Sequence, residues 1–488
     1  MAVFSAATAV PLWLVEFAPL QDLPNHALKV NIVERLLAGD EQAAAVFRLN
    51  LRPIPNATLY AFLLLCAPAL DPVAASRVFA TLVLLGVPLV GWWALERVKP
   101  GAGLLALAVP PIGPSLFFEK GTLNFCAALG LFVAGLAATQ TPPERRPLLW
   151  MTILGTALYF THGFAFGVFA VVLSVACVSG RAPRLLLATL LPGMLLFGAN
   201  LALEASSARG AAGLRPQFAA FHWPSIADGV SWLFPGGRPG VLAATFWAAG
   251  MLACASATAV RLLRGRPRLG EVLTAAPTLV ALIYVAAPSG LQDWAHLRHR
   301  LLPLLFLSLL LALDLPTGRG ARAAVLLCFG ASTAVVVVRQ AKEYPLASRA
   351  ISQYVAATAL LPPGASLLAL DREPSGYRVR PNLHSWAYYH LRQGGWGPYV
   401  HAYPSYHPVV YRSAPWAPDE AIGSARLGEL GERAAACYHY LVVWQPLPED
   451  RDDLDTHFTW IVADDTILVG RSRGAAPPPR DPRCRMPS

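Results

Sequence analysis

Apolar residues fill long, nearly unbroken stretches of this chain, and polar residues gather in the short gaps between them. A membrane-crossing helix needs about 20 predominantly apolar residues. Runs of that character fall at 2–18, 73–95, 101–118, 122–139, 148–162, 164–179, 185–203, 241–262, 271–288, 300–316 and 322–338. The pattern predicts about eleven transmembrane helices, several of them short. Pro88, Pro110, Pro111 and Pro192 lie inside the runs, where neighbouring helices can satisfy the backbone groups a proline frees. One more apolar stretch, ATLYAFLLLCAPAL at 57–70, has only 14 residues. It reads as a helix lying in the membrane plane.

Basic residues then orient the runs. Arg97 and Lys99, Arg145 and Arg146, Arg181 and Arg184, Arg261 to Arg268, and Arg319 and Arg322 occupy every second connection. Such loops belong on the cytoplasmic side. The other connections face outward: 18–72, 119–121, the turn at His162–Gly163, 204–240 and 289–299. The loop at 204–240 carries Phe218, Phe221, Trp223, Trp232 and Phe234, which suit headgroup anchoring better than substrate contact. After 338 the pattern changes. LLALD, YHYLVVWQ and FTWIVADDTILVGR read as strands, and HSWAYYHLRQG reads as a helix ending at Gly394. The fold class expected is therefore a polytopic all-α membrane protein with a C-terminal extracytoplasmic α/β domain. The transmembrane domain covers 1–338 and includes the first outer loop, 18–72. The α/β domain covers 339–473, and 474–488 is a Pro-rich, disordered tail.

Composition fits this reading. Of 488 residues, 55% are hydrophobic and only 14% charged, against about a quarter charged in soluble domains. The net charge of +10 does not point to nucleic acid, because the basic residues are topology signals between apolar runs. The first run lacks a basic leader and a small-residue cleavage site, so it reads as a retained anchor. Cys66, Cys126, Cys177, Cys254 and Cys328 lie in apolar runs and act as small hydrophobes. A Cys437–Cys484 disulfide needs an oxidising compartment, and the disordered look of the chain end argues against it.

Polar residues at the outer edge carry the candidate chemistry. They are Asp22, His26, Glu119, Lys120, Asn124, His162, Asp293, His296, Arg298, His299 and Arg300. Ionisable groups at the bilayer edge are costly and call for a partner or a task. Asp22 in APLQDLPNH is also a good helix N-cap, with Pro24 in the first turn and His26 on the same face. The tail histidines His384, His390, His401 and His407 match no zinc spacing. HSWAYYHLRQGGWGPYVHAYPSYHPVVYR suits sugar stacking, or simply a β-rich core with wet edges.

The order of parts resembles the GT-C superfamily of membrane glycosyltransferases, in the bacterial branch with the lipid A aminoarabinose transferases and the protein O-mannosyltransferases. Asp22 stands where that family places a catalytic acid, early in the first outer loop. RPIPNATLYAFLLL (52–65) resembles the juxtamembrane helix that follows, and ASRVFATLVLLG (75–86) resembles the span opened by an arginine, here Arg77. Glu119 of FFEKGTLNF fits a second acidic residue. LGTALYFTHGFAFGV (154–168) resembles a Gly-rich paired span, with His162 in place of a basic residue, and RHRLLPLLFLSLLLAL (298–313) a late span. The resemblance implies a sugar moved, with inversion, from a polyprenyl-phosphate donor to a glycan, lipid or protein acceptor outside the bacterial inner membrane. It implies Asp22 and Glu119 as catalytic residues and His26, Lys120, His162, His296, Arg298 and Arg300 as substrate-binding. Cations suit the phosphate leaving group. Many relatives pair two acids within three positions in the first loop. Here Gln21 precedes Asp22 and Pro24 follows, so a divalent cation, Mg2+ or Mn2+, gains no assigned ligand. Two other classes stand beside this one. An envelope transporter or assembly factor is disfavoured by the lack of internal repeats. An O-antigen ligase- or polymerase-like enzyme would use HLRHR (296–300) but not Asp22.

Overall fold

A computed structural model describes residues 2–140, 148–179, 183–205, 216–217, 224–264, 271–288, 290–291, 296–373, 379–400, 406–418, 420, 422, 426–474 and 484–485. The elements begin with α1 (Ala2–Trp13), α2 (Leu23–Leu37), α3 (Glu41–Val46), β1 (Phe47–Leu49), α4 (Ala57–Cys66) and α5 (Pro72–Val98). Next come two 3-10 turns at Gly103–Ala108 and Pro110–Ile112, then α6 (Leu116–Glu119), α7 (Leu123–Ala138), α8 (Leu148–Thr161), α9 (Gly163–Ser179) and α10 (Pro183–Ala205). They are followed by β2 (Pro216–Gln217), α11 (Pro224–Leu233), α12 (Gly237–Leu263), α13 (Glu271–Ala286), β3 (Gly290–Leu291), α14 (Leu297–Ala312) and α15 (Arg319–Thr358). The last third holds β4 (Leu367–Asp371), α16 (Trp386–Gln393), β5 (Val409–Tyr411), α17 (Gly428–Cys437), β6 (Tyr440–Trp444), α18 (Pro448–Leu454), β7 (Phe458–Ala463) and β8 (Ile467–Ser472). Among the described residues three helices, α5, α12 and α15, are long and apolar enough to cross a membrane, and most others are shorter apolar helices.

The chain divides into two units. The first comprises Met1–Trp13, Pro53–Leu59 and Val78–Glu343. Its core runs through Leu105, Phe132, Leu158, Phe166, Phe169, Leu301, Leu304 and Phe329. Helices α8 and α10 pack so closely that a Cβ on Gly155 would collide with the Thr189 carbonyl oxygen. Only glycine fits there. The two ends of α14 mark the two ends of this bundle. Beyond its C-terminus Asp314 meets Lys99 Nζ at 3.3 Å and Arg261 Nε at 2.8 Å. At its N-terminus Arg300 Nη1 donates to His162 Nε2 at 2.9 Å.

The run 101–118 was expected to be a transmembrane helix and is not one. It forms two 3-10 turns and the single-turn helix α6. Pro110 and Pro111 supply no N–H to an α-helical ladder, so the backbone takes the tighter turns. The segment still connects the Lys99 end of the bundle to the Lys120 end, and nearly all of it is buried. Irregular backbone at membrane depth is tolerated where protein surrounds it. The first run is also shorter than expected, since α1 stops at Trp13.

The second unit comprises Leu14–Arg52, Tyr60–Arg77 and Tyr344–Ser488. A four-stranded sheet in the order β4-β6-β8-β7 forms its centre. β4 and β6 are parallel, with Leu367 opposite Tyr440 and Asp371 opposite Trp444, and β6, β8 and β7 are antiparallel neighbours. Strands β1 and β5 pair separately. Leu28 and Ile32 of α2 and Tyr354 of α15 join the core formed by Leu368, Leu441, Val443, Phe458 and Val469. α16 ends with Gly394 at positive φ, the stop its sequence predicts. The expected boundary at 338/339 lies inside α15. Cys437 and Cys484 are bridged, contrary to expectation. Cys484 is buried and Arg485 pairs with Pro415; the expected tail otherwise lies outside the described residues, apart from Gly474.

Candidate functional site

In the second unit the site grows from helix α2. Asp22 occupies its N-cap position, and Pro24 fits the first turn, where a missing N–H costs nothing. The Asp22 carboxylate makes no capping hydrogen bond. Instead Oδ1 lies 3.2 Å from His384 Nε2. The other ring nitrogen, Nδ1, is 3.2 Å from Glu420 Oε1, which also accepts from Trp386 Nε1 at 2.7 Å. The Asp22 side chain is 31% exposed, whereas His384 behind it is 4% and Glu420 9% exposed. Burial pulls the His384 imidazolium down, yet the Glu420 and Asp22 carboxylates outweigh it and hold the ring up to about 10.

Helical spacing then places His26 and Lys29 on the Asp22 face, four and seven positions on. His26 Nδ1 lies 2.9 Å from the Tyr60 hydroxyl, which lies 3.0 Å from His407 Nδ1. A hydroxyl has one proton to donate, so at least one of these imidazoles donates to it. Lys29 is fully buried; burial lowers its pKa to about 7, although the Asp22 charge opposes that fall.

In the first unit the remaining candidates come together around Trp232 of α11. Its ring centroid lies 4.3 Å from that of His296 and 4.8 Å from that of His299, with Phe117 at 5.0 Å. Lys120 Nζ sits 5.2 Å from the Trp232 ring, within cation–π reach. His299 Nε2 meets Asp228 Oδ2 at 2.8 Å. His296 is held near pH 4, first by burial and then by Lys120, His299 and Arg300, so it is a neutral ring at physiological pH. Arg300 lies over the Phe125 ring while bonding His162.

Two candidates have structural partners. Glu119 forms a buried ion pair with Arg339 of α15. Burial lifts the Glu119 carboxyl to about 7 against the pull of Arg339. Arg298 gives Nε and Nη2 to the Ala287 carbonyl, an unpaired acceptor at the end of α13. Asn124 accepts from the Leu59 N–H and donates to the Asn56 carbonyl. Asp293, His401, Phe218, Phe221 and Trp223 lie outside the described residues. Among the described residues no three His, Cys, Asp or Glu side chains converge as metal ligands.

Sequence reasoning passed over Lys29, Tyr60, Glu420 and Arg339. Lys29 was legible from the heptad-like spacing after Asp22. The others meet their partners, His26, His384 and Glu119, only through long-range contacts.

No family model and no curated protein matches the chain. The long apolar helices mark an integral membrane protein, and its fold is like one already solved. The likeness is to the crystal structure of ArnT from Cupriavidus metallidurans bound to undecaprenyl phosphate. It has a TM-score of 0.57, spans 98% of each chain, and comes with 11% identity. At that identity the likeness is one of fold.

Proposed function

We propose that the protein is a glycosyltransferase that moves a sugar from a polyprenyl phosphate to a hydroxyl acceptor on the outer side of the bacterial inner membrane. The observation that carries this reading is the fold shared, over nearly the whole of both chains, with a protein bound to undecaprenyl phosphate. Asp22 is the general base. It takes the acceptor hydroxyl proton as the oxygen attacks the anomeric carbon, the bond from that carbon to the phosphate oxygen breaks, and the configuration inverts. The negative charge gathering on the departing phosphate needs fixed cations. Within the first unit, Lys120 and Arg300, with His162 and His296 as neutral hydrogen-bonding rings beside them, are the side chains suited to a phosphate. Glu119, next to Lys120 in the chain, is anchored by Arg339, and Arg298 caps the end of α13.

About eleven apolar segments cross the membrane in this reading, 101–118 as buried 3-10 turns. The basic connections face the cytoplasm and the C-terminal α/β region faces out, where its disulfide would persist. The test uses Asp22→Asn, which is nearly isosteric. Purified wild type and variant are given undecaprenyl-phosphate hexoses together with a lipid and glycan extract of bacterial envelopes to supply hydroxyl acceptors, and release of undecaprenyl phosphate is followed alongside its binding. The variant should bind undecaprenyl phosphate as the wild type does and release it at least about 100-fold more slowly, the range for a lost general base. Equal release rates would remove Asp22 as the base.

A further inference from the structure

The segment leading into α16 grips two consecutive residues ahead of α2. The Arg380 N–H donates to Gln21 Oε1 at 3.1 Å, and His384 Nε2 meets Asp22 Oδ1 at 3.2 Å. Gln21, which breaks the acidic pairing seen in GT-C relatives, is thus part of the clamp. The clamp is itself braced. Ser385 donates its N–H to the Asn382 carbonyl and its hydroxyl to Asn382 Oδ1, both at 3.0 Å. Behind the ring, Glu420 is fixed by the Trp386 indole N–H as well as by His384. A buried imidazolium between two carboxylates has both of its N–H groups satisfied.

We infer that His384, backed by Glu420, is a positioning residue for Asp22: it holds one carboxylate oxygen and keeps the group charged and aimed until the acceptor proton arrives. This rests on the proposed role of Asp22 as base. When Asp22 takes that proton, the pair behind it stays neutral overall, so one unit of charge changes at one carboxylate. Other groups act on the line from each neighbouring element. Lys29 of α2 and Tyr60 of α4 feel the Asp22 charge, Asp371 of β4 feels His384 and Arg380, and Tyr354 of α15 feels Glu420. His384 is the group among these that contacts both carboxylates.

The experiment reads Asp22 directly. The full-length protein in lipid nanodiscs is treated across a pH series with a water-soluble carbodiimide and glycinamide, which tag protonated carboxyls, and tagging of Asp22 is measured by peptide mass spectrometry. His384→Gln keeps an N–H donor and removes the positive charge. It should move the Asp22 tagging midpoint to higher pH by about one unit, the lower end for losing an adjacent opposite charge. Glu420→Gln keeps the acceptor for Trp386 and leaves His384 protonated where Asp22 titrates, so its midpoint should stay close to the wild type. An unchanged midpoint in His384→Gln overturns the inference. If that variant does not fold, NMR of labelled histidine in Asp22→Asn replaces it: His384 should lose its proton at least about one pH unit lower than in wild type, and an unmoved titration overturns the inference equally. Failure of the parent proposal looks different. A wild type that releases no undecaprenyl phosphate but shows the shifted midpoint loses the transferase reading and keeps the clamp.

Discussion

Replacing Lys29 by Met should stabilise the protein and tilt its pH dependence. Helix α2 carries Lys29 inward with Leu28, Val30, Ile32 and Val33, and leaves it 2% exposed. Burial drops its pKa from 10.5 to about 7. At about 1.4 kcal/mol per unit, the ammonium costs the folded state about 5 kcal/mol when charged. An unfolded chain keeps that proton to its ordinary pKa, whereas the folded chain gives it up near neutrality. The unfolded state therefore binds more protons between these two values, and this residue makes stability rise with pH there. Below about 7 the penalty is present in full. His384 works the other way. Its folded pKa of about 10 lies above 6.5, so its stabilisation is complete below 6.5 and fades as pH climbs toward 10. In the wild type the two slopes oppose and largely cancel over that window. Lys29→Met removes one of them. Thermal midpoints of the full-length protein, taken at one scan rate from about pH 6 to about pH 9, should be higher than wild type near neutrality. The variant should then lose about 1.4 kcal/mol per pH unit above neutrality, the unmasked His384 slope. A midpoint at or below wild type near neutral pH, or a flat profile in the variant, would refute the reasoning. Undecaprenyl phosphate release should fall in the same variant, because Asp22 loses a neighbouring charge; stability gained at a functional site commonly costs activity.

Two more predictions concern groups whose partners the structure supplies. Arg339→Met leaves Glu119 buried without its cation and should cost about 3–5 kcal/mol, seen as a lower thermal midpoint. Adding Glu119→Gln to it should recover most of the loss, and a double variant no better than the single one would deny the pairing. Removing the Cys437–Cys484 bridge, which closes a loop of 47 positions, should cost about 4 kcal/mol by loop entropy. Limited proteolysis with and without reductant measures it, and cleavage after β8 that is insensitive to reductant would contradict a formed bridge.

Hydropathy made the apolar bundle legible because each run must hide its own backbone in lipid, and that requirement acts locally. It failed at 101–118 because it counts apolar residues without asking whether they can donate hydrogen bonds. Pro110 and Pro111 decide that point, and the 3-10 turns follow from them. Likewise β6, β7 and β8 were visible in their β-branched and aromatic content and β4 as a short strand after a turn, while their order, β4-β6-β8-β7, depends on pairings no local pattern encodes. The disulfide was missed for a related reason. Pro-rich composition was weighed against the bridge, whereas the pairing depends on where the single residue Cys484 is buried.

The same division runs through the site. Asp22, His26 and Lys29 share one helix face, and a reader of the sequence can find them with a 3.6-residue period. What that reading cannot do is choose between a cap and a catalyst for Asp22, because both predict the same residue at the same place. The choice lies in where the carboxylate points. Here it leaves the helix N-terminus uncapped by its side chain and turns to His384. The neighbouring contact joins residues 359 positions apart. A capping aspartate would gain roughly 1 kcal/mol from the backbone N–H it satisfies. Here that bond is absent and the carboxylate faces an imidazolium backed by a second carboxylate, an arrangement that supports the proposed role of its charge over a cap.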